Sequence, residues 1–196
     1  MKLDRRSDAG QAFPIYITVV GGLLFLALAY FAVGQAAATR NEAQTAADAS
    51  ALAAALETRD QLADQWLMNI VEPETWQGIF DGDMPVASAC WRAQELAERN
   101  EASVDCYLDG PLSYTVVAET KGTVGDTIVP GTENQHANES ATAVIEARCS
   151  FKLPGEDADD DVLPTLLCKG EEWDLEPGDL SDLPKPEDLF DVHLAD

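Results

Sequence analysis

The chain has 196 residues, of which 36 are acidic and 12 are basic, so its formal net charge at pH 7 is −24. This length accommodates one modest domain and an anchor rather than a multidomain assembly. After residue 41 the chain has 34 acidic residues and only 8 basic ones, a formal charge of −26. Nucleic acid and anionic lipid surfaces are therefore excluded as partners of that part, because both would be repelled.

Residues 1–12 form a short basic leader that contains Lys2, Arg5 and Arg6. Within it, Gly10 is followed directly by an apolar stretch, which is the arrangement that a prepilin-type peptidase cleaves. Gly10 and Gln11 are therefore the candidate residues on either side of a cleaved bond.

Residues 13–34 are predicted to form one transmembrane helix. No charged residue occurs from Ala9 to Thr39, and a 21-residue helix from Phe13 to Val33 covers the roughly 30 Å hydrocarbon core of a bilayer. Two alternatives are a buried core helix and a cleaved secretory signal ending at Ala38. Basic residues before the helix and acidic ones after it place the N-terminus in the cytoplasm and the remainder outside.

Residues 35–72 are rich in alanine and lack proline, which predicts a second helical segment continuing from the first. Gly34 and residues 39–41 are the positions where this long helix could bend. Pro73 disfavours helical geometry at Glu72, so the helix is expected to end near Val71. One apolar face is predicted, packed on the chain's own outer domain or on a partner helix: Leu52, Leu56, Ala63, Trp66, Leu67 and Ile70.

Residues 73–153 are predicted to form a small α+β domain. A short helix is expected within 85–100, and alternating apolar residues predict strands at 103–108, 112–120 and 141–151, with a further short strand at 127–129. The expected fold is a small antiparallel sheet packed on the long helix, with a pilin-like shape.

Four cysteines follow the apolar segment: Cys90, Cys106, Cys149 and Cys168. An even number of cysteines in an extracellular segment favours two disulfides, and no C-x-x-C pair suggests zinc. Four cysteines allow three pairings. Local order favours Cys90–Cys106 and Cys149–Cys168.

Residues 154–196 form an acidic, proline-containing tail that is expected to be only partly ordered. Asp157, Asp159 and Asp161 are a weak candidate for Ca²⁺, but the glycine and the terminal glutamate of an EF-hand loop are missing. A solvated acidic loop is the favoured interpretation, and no metal site is predicted. Phe190, Val192 and Leu194 alternate in the manner of an edge strand.

The sequence contains no recognisable catalytic motif. His136 and His193 are far apart in the chain, and neither belongs to a metal-ligand pattern. The protein is therefore predicted to have no enzymatic activity and no cofactor.

The alanine-rich segment after the apolar helix resembles the N-terminal module of TadE/TadG-like Flp (tight adherence) pilus-assembly proteins. In that family a positive leader, a glycine, a membrane helix and an alanine-rich motif follow one another in this order. The composition, rich in alanine and acids, is similar to a high-GC actinobacterial member. The matching motif, expected to serve in helix packing, contains Ala46, Ala47, Asp48, Ala49, Ala51, Leu52, Ala53 and Ala54.

The resemblance implies a membrane-anchored component of a Tad/Flp-type pilus assembly or secretion apparatus. Ile15 stands where cleaved pilins usually carry a glutamate, which favours a minor pilin or pseudopilin-like role over a major pilin. Its partners would be other subunits of the apparatus, contacted through the N-terminal helix, in a homo- or hetero-oligomer. The alternative is a membrane-tethered extracellular binding module with an acidic surface, unrelated to pili.

Overall fold

The computed structural model describes residues 12–123, 134–155, 162–176 and 183–195 of the chain. These ranges contain four α-helices, one 3₁₀ turn and seven strands. The helices are α1 (Ala12–Met68), α2 (Trp76–Phe80), α3 (Cys90–Arg99) and α4 (Pro186–Leu189), and the 3₁₀ turn is Pro73–Thr75. The strands are β1 (Ala102–Leu108), β2 (Ser113–Thr120), β3 (Asn138–Ala147), β4 (Cys149–Ser150), β5 (Leu166–Cys168), β6 (Glu171–Trp173) and β7 (Phe190–Leu194).

The strands form two antiparallel sheets. One has the order β1-β2-β3-β7, and the other has the order β4-β5-β6. Helix α1 packs across β2, β3 and β7, and α3 packs against both α1 and β1. The predicted α+β class, with a long N-terminal apolar helix and antiparallel strands, is confirmed, and β7 forms the predicted edge strand.

Helix α1 is continuous over 57 residues, about 85 Å at a rise of 1.5 Å per residue. Among the described residues it is the one helix that is long and apolar enough to cross a membrane. No break occurs at Gly34 or at residues 39–41, because alanines on both sides favour the helix. The Thr39 hydroxyl donates to the Gln35 carbonyl within the same helix at 3.2 Å. The helix ends at Met68, slightly earlier than expected, where the Trp76 indole donates to the freed Asn69 carbonyl at 3.0 Å.

The core lies between the outer half of α1, the four-stranded sheet and α3. Its largest side chains are aromatic, and the Trp66 and Trp76 ring centroids lie 5.5 Å apart. The predicted apolar face of α1 was partly wrong, because Leu56 and Leu67 are 39% and 45% exposed. Alanines occupy most of the buried face instead, since a small side chain lets the sheet approach the helix closely.

The third predicted strand is interrupted in the structure. β3 ends at Ala147, and β4 begins at Cys149 in a different sheet. Between them the Arg148 amide donates to the Leu189 carbonyl at 2.8 Å, outside the ladder of either sheet. Apolar residues alternate through both strands, so the sequence does not indicate that the chain passes from one sheet to the other.

Parts of the predicted acidic tail belong to the core. Leu166, Leu189 and Phe190 are buried, and β7 pairs with β3 in the main sheet. Acidic stretches separate these apolar residues in the sequence, so the pattern does not show that they belong to one core. The strand expected at 127–129 lies outside the described residues.

Candidate assembly surface

One face of the outer half of α1 is covered by the protein's own domain. Ala43, Ala47, Ala51 and Ala54 are fully buried, as are Ala46 and Ala55. They recur every three or four residues, which places them along the side of the helix that faces the sheet and α3. This part of α1 is therefore the central element of the domain as well as the continuation of the apolar segment.

Two polar contacts fix α1 to the four-stranded sheet, one at Arg40 and one at Thr58. Arg40 forms an ion pair with Glu139 at the start of β3. Deeper in the core, the Thr58 hydroxyl donates to the Tyr114 hydroxyl of β2 at 2.8 Å. The same tyrosine oxygen accepts from the Ala89 amide, at the start of α3, at 3.2 Å. The helix is thus held to both β2 and α3 through Tyr114.

The domain begins directly at the end of the apolar segment. Thr39 is already buried, and the Arg40–Glu139 contact brings the start of β3 beside it. From Val33 to Arg40 the helix rises only about 10 Å. No separate stalk is inserted between these two parts of α1.

The opposite face of α1 is open and borders a groove beside α3. Ala49, Leu52 and Ala53 are half-buried and Leu56 is exposed. Leu96 of α3 forms the other wall of this groove, which has a volume of about 490 Å³. The groove is also lined by the charged side chains of Glu57, Arg59 and Asp60.

Charged side chains of α3 edge the groove. Arg92 lines it and forms an ion pair with Glu95, and Arg99 pairs with the same carboxylate. The hydrogen bond from Arg92, with the positive charges of Arg92 and Arg99, lowers the pKa of Glu95 from its usual value. Glu95 therefore stays ionised, and able to pair with both arginines, to more acidic pH.

The residues of the predicted packing motif divide between the two faces. Ala46, Ala47, Ala51 and Ala54 are buried in the domain, whereas Ala49, Leu52 and Ala53 line the groove. Asp48 lies between the faces and accepts a hydrogen bond from Gln44 at 2.7 Å. Gly10 and Gln11, the candidate cleavage pair, lie outside the described residues.

Two disulfides join neighbouring elements of the domain. Cys90–Cys106 links the start of α3 to β1, and Cys149–Cys168 links opposite positions of β4 and β5. The pairing is the one that local order favoured. Each bridge therefore closes a short loop, of 16 and 19 residues in sequence separation.

The residues that the structure describes form no metal site. Within these ranges no three potential ligands come together, and Asp157, Asp159 and Asp161 lie outside them. His136 contacts the Thr120 carbonyl at 2.7 Å, and His193 lies 3.4 Å from an Asp191 oxygen. Among the described residues, His136 thus has a hydrogen-bond partner, whereas the buried Nδ1 of His193 has none.

Comparison with known proteins finds a similarity that covers most of α1. Residues 10–57 match the Flp pilus-assembly TadE/G-like family. The chain carries a TadE/G-like N-terminal module. No curated protein and no solved structure was found to be significantly similar to the chain. Together, the TadE/G-like module and the membrane-length helix indicate a pilus-related membrane protein.

The sequence did not reveal how the TadE/G-like module is divided between a covered and an open face. Its alanines look alike in sequence, and only the packing of β2, β3 and α3 distinguishes them. The available signal was the helical spacing of Ala49, Leu52 and Leu56, which places these three residues on one side of α1.

Proposed function

We propose that the protein is a non-enzymatic, membrane-anchored component of a Tad/Flp-type pilus assembly or secretion apparatus, in the role of a minor pilin or pseudopilin-like subunit. The observation that carries the proposal is the position of the TadE/G-like match. It covers residues 10–57, and so includes both the apolar part of α1 and the alanine-rich part that forms the core. The family segment therefore joins the anchor rigidly to the outer domain.

The proposed orientation has the leader in the cytoplasm and the domain outside. Lys2, Arg5 and Arg6 precede the apolar helix, and the part after residue 41 carries a formal charge of −26. Two disulfides in a domain of this size are typical of an oxidising compartment. Charge and cysteine chemistry thus support the same orientation.

The membrane helix is proposed to remain part of the mature protein. A cut after Ala38 would open α1 immediately before Thr39, which is buried, and Arg40, which pairs with Glu139. A cut after Gly10 would remove only the leader and leave this helix whole. Intact-mass spectrometry of the membrane-extracted protein distinguishes these forms, and a major species beginning at Thr39 would contradict an anchored subunit.

The assembly role is tested by purification from native membranes. The tagged full chain is extracted in mild detergent, and the proteins that co-purify are identified by mass spectrometry. We expect the enriched proteins to be subunits of the apparatus, whose genes lie beside those of the Tad-type platform protein and the pilins. The matched control is the same chain with residues 13–33 replaced by an unrelated membrane helix, which should lose partners that bind through the anchor. The proposal would be contradicted if the unmodified chain and the control chain co-purified the same membrane proteins in equal amounts.

A further inference from the structure

Strand β1 forms one edge of the four-stranded sheet, and its other side is bonded to β2. The Asp109 amide donates to the Ser113 carbonyl at 2.9 Å at the end of this ladder. In an antiparallel pair such bonds alternate, so the odd-numbered residues of β1 bond to β2 and the even-numbered ones direct their N–H and C=O groups outward. Among the described residues, no backbone group bonds to the outward groups of Val104, Cys106 and Leu108.

Helix α3 presents a row of exposed side chains beside this edge. Trp91, Gln94 and Glu98 are spaced three and four residues apart, so they lie on one face of α3. Gln94 and Glu98 line a groove of about 240 Å³ together with Val104 of β1. A strand added to β1 would therefore place every second side chain against this face of α3.

An exposed aromatic side chain lies near the other end of the edge. Trp91 is 54% exposed, and it follows Cys90, whose Cα lies 5.6 Å from that of Cys106 across their disulfide. Leu108, two residues further along β1, is 47% exposed. Exposed tryptophans are among the side chains that contribute most to binding at protein interfaces. The edge thus combines open backbone groups with an apolar anchor.

We propose that β1 accepts an extended, basic segment of a different protein as an additional strand of the sheet. Backbone hydrogen bonds would supply affinity, and the side chains that face α3 would supply selectivity. The contact goes beyond the pilus-assembly role, because it concerns the outer domain rather than the anchor. It would bury the apolar surface of Trp91 and Leu108.

Charge determines the chemistry of the added segment. Four exposed acidic residues lie on α3 or along β1 and its two ends: Glu98, Glu101, Asp105 and Asp109. They outnumber Lys121, which lines the groove. Lysine or arginine at alternate positions of the segment would complement this charge. A second copy of the chain would instead bring the same acids to the edge, and its outer part of formal charge −26 would be repelled.

Peptide binding to the purified full chain in detergent tests the proposal. The probe is a peptide of alternating valine and lysine, long enough to span the seven residues of β1. Amide hydrogen exchange at Val104, Cys106 and Leu108 should slow by about tenfold or more when the probe binds, because hydrogen-bonded amides exchange slowly. Exchange in β7, the opposite edge of the sheet, should not change.

Two further peptides separate strand pairing from charge. A valine–lysine peptide with proline in place of its central valine keeps the charge but cannot complete the ladder, so it should bind about tenfold more weakly. A peptide of alternating valine and glutamate can form the ladder but is repelled by the acidic residues, and it should not bind.

Substitutions in the chain test the named residues. Trp91→Ala should weaken binding of the probe about tenfold. Val104→Pro removes one outward N–H without touching the ladder to β2, and it should also weaken binding. Because Trp91 is exposed, Trp91→Ala remains informative if Val104→Pro fails to fold. Leu153→Ala is the matched control, since Leu153 is 53% exposed and lies outside the four-stranded sheet, and it should bind as the unmodified chain does.

Several outcomes would overturn the proposal. These are a valine–lysine probe that does not bind, equal binding of the proline or glutamate peptide, and full binding by Trp91→Ala. Slow exchange at Val104, Cys106 and Leu108 without any peptide would show that the edge is already covered. If that slow exchange depended on chain concentration, the occupant would be a second copy. If it did not, the occupant would be another segment of the same chain.

Discussion

The Thr58 hydroxyl of α1 donates a hydrogen bond to the Tyr114 hydroxyl of β2, with 2.8 Å between the two oxygens and both side chains fully buried. The Ala89 amide donates to the same tyrosine oxygen at 3.2 Å. One phenol oxygen thus connects helix α1, the sheet and the start of α3. A buried polar contact of this kind is costly to break, because its partners lose water and gain nothing in return.

Tyr114→Phe should therefore lower the free energy of unfolding by about 1 to 3 kcal/mol, since it leaves the Thr58 hydroxyl and the Ala89 amide without their acceptor. Denaturant unfolding of the full chain in detergent measures the change. Tyr107→Phe is the matched control, because Tyr107 is half exposed in β1, and it should shift stability by no more than about 0.5 kcal/mol. Equal effects of the two substitutions would contradict the assigned role of Tyr114.

Enlarging the buried face of α1 should also destabilise the protein. Ala47 is fully buried, so Ala47→Leu forces extra volume between helix and domain and should cost about 1 to 3 kcal/mol. Ala37→Leu changes an exposed alanine of the same helix and should be nearly neutral. Thermal unfolding gives the melting temperatures of the two variants, which are compared with that of the unmodified chain. An unchanged melting temperature for Ala47→Leu would show that the helix does not pack as described.

Each disulfide should contribute measurably to stability. The loops have sequence separations of 16 and 19 residues, a size for which a bridge contributes about 3 kcal/mol through the unfolded state. Replacing Cys90 and Cys106 together by serine should lower the unfolding midpoint, and the same holds for Cys149 with Cys168. Non-reducing peptide mapping checks the pairing, and four free thiols would refute an oxidising location for the domain.

The ionisation of Glu95 should depend on Arg92. The hydrogen bond from Arg92 is the largest cause of the lowered pKa of Glu95, so Arg92→Gln should raise that pKa towards its usual value. Carboxyl NMR titration measures it, with Arg148→Gln as a control that leaves the pKa of Glu95 unchanged. Because the pKa is lowered in the folded state, the interaction stabilises the protein above the usual glutamate pKa. The contribution is lost as pH falls through the lowered value.

Local patterns predicted the membrane-length helix and the longer strands but not the short elements or the way in which the elements pack together. The charge-free residues from Phe13 to Val33 predict a helix of membrane length, and alternation predicts strands at 112–120 and around Phe190, Val192 and Leu194. The division of α1 into covered and open faces depends on contacts with β3 and α3, which are distant in sequence. Leu56 illustrates the limit, because its spacing fits the predicted apolar face although it lies in the groove beside α3 and is 39% exposed.

The second sheet was beyond sequence reasoning for a similar reason. β4, β5 and β6 contain two or three residues each, too few for a periodic signal. Their pairing is organised by the Cys149–Cys168 bridge and by buried Leu166. The packing motif at residues 46–54 was recognised as a unit, but its alanines could be assigned to faces only once the neighbouring elements were known.

The most direct test of a role in pilus assembly is the number of pili on cells that lack this protein. Deletion of the gene should reduce surface pili counted by electron microscopy, and the full chain supplied in trans should restore them. A chain with residues 13–33 replaced by an unrelated membrane helix should restore fewer, although the outer domain is intact. An unchanged pilus number in the deletion strain would contradict the account.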